Sequence, residues 1–154
     1  MRTTILLDDE PRRAIQAHAT DRRDREVAGF LVGPQPEKQP DGRYVVTVVD
    51  YIPARFTVSR GGSVTLTADS WHYAHVELTR RYPGHLVRLL GWAHTHPGFG
   101  IFLSDLDLII HHAFFRQPWQ IAAVVDPIAR TGGFFGWDAE MNEVRRDRFV
   151  WHWG

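Results

Sequence analysis

Short apolar blocks alternate with longer amphipathic stretches along this chain, and the spacing within each sets the element it predicts. The blocks "TTILL" (3–7) and "EVAGFLVG" (26–33) are too short for buried helices and read as strands. Between them, "DDEP" supplies acids and a proline suited to a first helical turn, which predicts a helix over 10–20. The segment "RYVVTVVDYI" (43–52) is rich in β-branched residues and follows the turn-forming "PQPEKQPDG", so it predicts a strand pairing antiparallel with 26–33. Residues 54–67, which include "SRGGS", predict a mobile loop. Trp71, Ala74, His75, Leu78 and Tyr82 then recur at helical spacing, with Thr67 or Asp69 available as the cap.

In the second half, "VRLLGWAHTH" (87–96) predicts a strand, and "SDLDLIIHHAFFRQ" (104–117) predicts a helix with Ser104 at its N-cap. "WQIAAVVDPIA" predicts another buried strand, "RTGGFFGWD" a glycine-rich loop or hairpin, and "EVRRDRFVWHWG" a terminal strand. No repeat, linker or low-complexity segment divides residues 1–154, so a single domain is expected. Several predicted strands follow one another without a helix between them, which favours an α/β fold with a mixed, largely antiparallel sheet flanked by helices.

Composition narrows the function more by exclusion than by suggestion. Eighteen basic residues balance eighteen acidic ones, so no electrostatic footprint for nucleic acid appears. Cysteine is absent, which removes thiolate zinc sites and cysteine nucleophiles and leaves any metal to histidine and carboxylate. The first residues lack the hydrophobic core and cleavage site of a signal peptide, and no run reaches the length of a membrane span. A soluble cytoplasmic protein with no membrane partner is the expectation.

The candidate chemistry sits in "GWAHTHPGFGIFLSDLD" (91–107). Side chains two apart on a strand point to one face, so His94 and His96 project together. Asp107, in the first turn of the following helix, can face them. Two imidazoles and a carboxylate leave the fourth tetrahedral position of zinc open to water, the arrangement of a catalytic site. Glu26 is the candidate for moving protons, since partial burial at the head of its strand would favour the protonated form. Ser104 could donate its hydroxyl to an oxyanion. Each piece also has a plainer reading: a His-x-His pair can split between core and surface, "SDLD" fits a helix cap, and an acid before a strand is ordinarily solvated.

The joint pattern resembles the JAMM (JAB/MPN) metalloproteases, whose signature is a distant glutamate, then His-x-His, seven residues, Ser, two residues and Asp. "GWAHTHPGFG" resembles the motif of the deubiquitinating subunits of the proteasome lid and the signalosome. "EVAGFLVG" resembles the family's glutamate strand, and "AAVVDPIART" its later strand and Asp-Pro turn. The resemblance covers most of residues 1–138. It implies the MPN/JAB, cytidine-deaminase-like fold, one Zn2+ per chain held by His94, His96 and Asp107, and Glu26 as general acid and base. It also implies cleavage after the C-terminal glycine of ubiquitin or a ubiquitin-like protein, with cognate activating or conjugating enzymes as possible partners. The interval "RFTVSRGGSVTLT" matches a family insertion, so Arg60, Gly61, Gly62, Ser63 and Val64 are expected to pair with the substrate tail by strand addition. Where the eukaryotic enzymes commonly carry Cys-Trp, this chain has Ile101 and Phe102. Without their C-terminal helices, a free-standing prokaryotic member is the simpler reading.

Trp92 shares the face of His94 and is a candidate wall of the site, with core packing the equal alternative. His111 and His112 are expected to pack or hydrogen-bond, His72 and His75 to make surface or partly buried polar contacts, and Trp151 and Trp153 to cover a sheet edge or form a dimer contact. Two other functions stay open: a non-catalytic MPN scaffold, and a peptidase or amidase acting on small peptides.

Overall fold

A computed structural model describes residues 3–60, 63–84 and 86–154, with Ser59, Arg60 and Ser63 described by backbone alone. The elements in chain order are β1 (Thr3–Leu7), α1 (Asp9–Asp21), β2 (Ala28–Gly33), β3 (Glu37–Lys38), β4 (Tyr44–Val48), β5 (Asp50–Pro53), β6 (Val58–Arg60) and β7 (Ser63–Thr65). They continue with α2 (Ala68–Arg81), β8 (Arg88–Thr95), α3 (Asp105–Phe114), β9 (Ile121–Asp126), β10 (Thr131–Trp137) and β11 (Val144–Arg146). Six strands form the main sheet in the order β11-β10-β9-β8-β2-β5. All its pairs are antiparallel except β8 with β9, which run parallel on either side of the α3 crossover.

Alternation along the central strands builds two cores. Leu31, Ala93, Ala123 and Val125 face α1, where Ile15 and Ala19 meet them. Phe30, Trp92, Ala122 and Val124 face the other way, against Ala74 of α2 and Ile110 of α3. The domain is therefore a mixed sheet between helix layers, as expected. No helix among the described residues is long and apolar enough to cross a membrane.

Three segments differ from expectation. The stretch 43–52 divides at Val49: its second half, β5, pairs with β2 as foreseen, but its first half leaves the main sheet and runs parallel with β1. Val49 N–H donates to Val32 O at the break, so the bend keeps its backbone satisfied. Residues 131–137, expected as a loop or hairpin, form a full seven-residue buried strand that makes a hairpin with β9, so the loop alternative falls. Its glycines leave room for neighbours, since a Cβ at Gly132 would meet the Trp151 ring and one at Gly133 would meet Ile101. The terminal strand shrinks to three residues, β11. Beyond it Trp151 is buried and donates from Nε1 to Gln16 of α1 at 2.9 Å.

Candidate metal centre

The site lies where the one parallel pair of the main sheet ends. The carboxyl ends of parallel strands and the N-terminus of the crossover helix commonly frame binding sites in α/β sheets. Here His94 and the adjoining His96 come from the end of β8, and Asp107 comes from the first turn of α3. Ser104 caps that helix: its Oγ accepts from Asp107 N–H at 3.1 Å, and its own N–H donates to Asp107 Oδ2 at 2.9 Å. The reciprocal bonds fix the Asp107 carboxylate on the side of the helix facing β8.

The same Oδ2 lies 2.9 Å from His94 Nε2 and 3.1 Å from His96 Nε2, and the two Nε2 atoms are 3.1 Å apart. Three ligand-type atoms thus form a nearly regular triangle. Ligands placed 2.0–2.1 Å from a tetrahedral zinc ion would stand roughly 3.3 Å apart, so the donor set fits a metal with little adjustment. Glu26 Oε1 is 3.8 Å from His96 Nε2, and one ligand-type atom from each of Glu26, His94, His96 and Asp107 falls within 4.8 Å of the others. All four residues are at most 5% exposed.

Hydrogen bonding sharpens the fit. His96 Nδ1 is 3.2 Å from the Gly100 carbonyl, which can only accept, so Nδ1 carries the proton and Nε2 offers a lone pair to the site. His94 Nδ1 is buried without a hydrogen-bond partner. A cation held between the two Nε2 atoms and the Asp107 carboxylate would take a lone pair from each ring and leave the His94 proton on Nδ1.

Electrostatics divide the four groups. Burial pushes the Glu26 carboxyl up, and the Asp107 charge pushes it further; nearby His96 opposes them, leaving Glu26 at about 7. Burial acts on Asp107 in the same upward direction, but the two neighbouring histidines and the Ser104 N–H overcome it and hold the carboxyl well below its usual range. Burial holds His94 below its ordinary value. For His96 the same downward push is outweighed by Asp107, Glu26 and the Gly100 carbonyl, so it rises.

The family described as JAB1/Mov34/MPN/PAD-1 ubiquitin protease matches residues 3–117. The chain belongs to this family. Relatives include COP9 signalosome complex subunit 5 of Eremothecium gossypii, 34% identical over 116 residues covering 73% of this chain and 25% of that protein. Ubiquitin carboxyl-terminal hydrolase RPN11 of Saccharomyces cerevisiae is 33% identical over 109 residues, 70% of this chain and 33% of that protein. The chain therefore spans about a quarter to a third of the length of these curated relatives. A solved structure of a Desulfitobacterium hafniense protein shares the fold, with a TM-score of 0.66 and 18% identity over 98% of this chain and 94% of that one. In this JAB/MPN domain the buried Glu26, His94, His96 and Asp107 group is compatible with a metal site.

Other expected site residues fall outside this cluster. Trp92 is fully buried beneath His94, the rings stacked 4.4 Å apart at 12°, and its Nε1 donates to His111 Nδ1 at 3.1 Å. It backs a histidine and offers no surface to a substrate, which corrects its place among the substrate contacts. The Val64 side chain is buried, 1% exposed, in the core on the α2 and α3 side of the sheet, so only its backbone is left to pair with a tail. The expected loop contains a two-stranded ribbon, with Arg60 paired to Ser63, while Gly61 and Gly62 lie outside the described residues. His111 packs against Trp137 and Phe115 behind the site, in keeping with the expectation for it.

Two residues that hold the site were not singled out from the sequence. Thr95 points away from the histidines and clamps Val27, accepting its N–H on Oγ1 at 2.9 Å and donating N–H to its carbonyl at 3.0 Å, which fixes the chain beside Glu26. The signal was the hydroxyl between two same-face histidines. The other is Asp126, legible only as part of an Asp-Pro turn.

Proposed function

We propose that this chain is a zinc-dependent isopeptidase or peptidase that cleaves after the C-terminal glycine of ubiquitin or a ubiquitin-like protein. The observation that carries the reading is the meeting of Glu26, His94, His96 and Asp107 within 4.8 Å in a buried cluster. His94, His96 and Asp107 would hold the ion. Zinc, when bound, supplies a Lewis acid that lowers the pKa of water from 15.7 to about 7 and polarises a carbonyl.

The chain's own residues supply the rest. Glu26, buried with its Oε1 3.8 Å from His96 Nε2, is placed to take a proton from water and return it to the departing amine. Ser104 uses its Oγ as acceptor in the helix cap, which leaves the hydroxyl proton to donate to an oxyanion. The ribbon of β6 and β7 pairs only with itself among the described strands, so its outer edges are available to an extended glycine-ended tail by strand addition. Cysteine plays no part, as the chain has none.

The test is hydrolysis of di-ubiquitin and of a panel of ubiquitin-like fusions by the purified protein, with Glu26→Gln and His94→Ala as controls. Cleavage after the terminal glycine that both substitutions abolish is the expected result. Cleavage that survives both refutes the mechanism.

A further inference from the structure

The turn that follows His96 is held from outside the site by a single carboxylate. Asp126, at the end of β9 and 2% exposed, accepts from Gly98 N–H on Oδ1 at 2.9 Å and more distantly from Gly100 N–H on Oδ2 at 3.4 Å. The same Oδ1 accepts from Ile128 and Ala129 N–H at 2.9 and 3.1 Å, closing the turn after β9. Gly98 and Gly100 have φ of 76° and 89°, a region glycine enters freely and other residues do not, so these two positions let the chain make the turn. Its product is the position of the Gly100 carbonyl, 3.2 Å from His96 Nδ1. Phe99 N–H closes the turn on His96 O at 3.1 Å, and His96 N–H donates to Val125 O, the residue before Asp126.

We propose that Asp126 is a positioning residue which, by fixing the Gly98–Gly100 turn, sets the Gly100 carbonyl to take the Nδ1 proton of His96 and so commits Nε2 to the metal side. The inference rests on the reading of His96 as a ligand. It adds a carboxylate that acts through a peptide group, with no direct contact to the imidazole. Burial raises the Asp126 carboxyl, but the four backbone N–H groups outweigh it and keep it charged, in line with the role of fixed acceptor. Groups that orient metal-binding histidines in this way typically contribute 10–100-fold to metal affinity.

The experiment uses the full chain. Imidazole nitrogen NMR on the zinc-free protein reads the tautomer of His96, and competition against a chelator reads zinc affinity, in the native protein, Asp126→Ala and Asp126→Asn. Thr67→Ala serves as a control, because it removes the cap of α2, far along the chain from these contacts, and costs stability of a similar kind. The expected result is a His96 fixed as the Nδ1–H form in the native protein and mixed in both Asp126 variants, with zinc affinity 10–100-fold lower and unchanged in Thr67→Ala. Should Asp126→Ala fail to fold, Asp126→Asn decides: its one oxygen keeps the turn after β9 closed, while its amide nitrogen replaces Oδ2, loses the Gly100 N–H contact and sets donor against donor beside the carbonyl in question. A His96 tautomer that stays fixed in the folded variants overturns the proposal, whatever happens to zinc affinity. Because neither readout uses a substrate, a chain that binds zinc yet cleaves nothing defeats the isopeptidase reading and leaves this one standing.

Discussion

The corner between β8 and α3 and the ribbon of β6 and β7 are built on opposite terms. In the corner, each ionisable side chain has its place fixed by neighbours: Asp107 by the Ser104 cap, His96 by the Gly100 carbonyl, His94 by the stacked Trp92, and Glu26 by the Thr95 clamp on Val27. The ribbon is two strands of three residues each, joined only to each other among the described strands and anchored through Val64. Under the proposed function, the chemistry that tolerates little misplacement would sit on rigid elements, and contact with a variable partner on a lightly tethered one.

Metal removal breaks the comparison most severely. Chelation is expected to abolish peptide-bond cleavage, and zinc at 100 times its Kd to stabilise the apoprotein by about 2.7 kcal/mol, read by thermal unfolding with and without the ion. Glu26→Gln comes next, lowering kcat by about 10²–10⁴-fold with KM little changed, measured on a ubiquitin-like fusion. An equal effect on KM would mean that Glu26 binds substrate rather than moving protons.

The same substitution has a pH signature in the metal-free protein. Glu26 titrates at about 7 in the fold against 4.5 for the free group, so the folded state binds the extra proton and stability is lost as pH rises between those values. Glu26→Gln is therefore expected to match the native protein near pH 4 and to exceed it by on the order of 1–3 kcal/mol above pH 7, checked by denaturant unfolding at both ends. Ser104→Ala is expected to cost about 0.5–2 kcal/mol from the lost cap, with a fall in kcat that the same titrations separate from unfolding. The mildest change belongs to the ribbon. Val58→Pro removes a backbone donor from β6 and is expected to raise KM by about 10-fold, the equivalent of roughly 1.4 kcal/mol, leaving kcat intact. A drop in kcat instead would move the ribbon into the chemical machinery.

The corner was legible in the sequence because its rules are local. Two-residue periodicity aims His94 and His96 together, and the spacing from Ser104 to Asp107 is that of a helix cap, so geometry follows from a few consecutive residues. The joining of Glu26 to this corner depends on the pairing of β2 with β8; its place at the head of an apolar strand made it a candidate, and the resemblance to a known family strengthened it. What was not legible depended on distant neighbours. The glycines of β10 left loop and hairpin undecided because the Trp151 and Ile101 side chains that fill their space come from far along the chain. The split of 43–52 at Val49 is set by two competing partners, β1 and β2, of which only β2 was expected. Asp126 looked like turn chemistry, and it is that, but its second pair of donors comes from the loop after His96.

The double duty of the Asp107 oxygen has a consequence for how relatives of this chain should be compared. Because it serves the start of α3 as well as the cluster, a relative without the proposed hydrolysis would still gain from an acid there for the sake of its helix. An aspartate at that place is thus a poor marker of activity. The outer nitrogen of His94 has no hydrogen-bond partner among the described residues, so a histidine kept at that position is the better marker of the proposed activity.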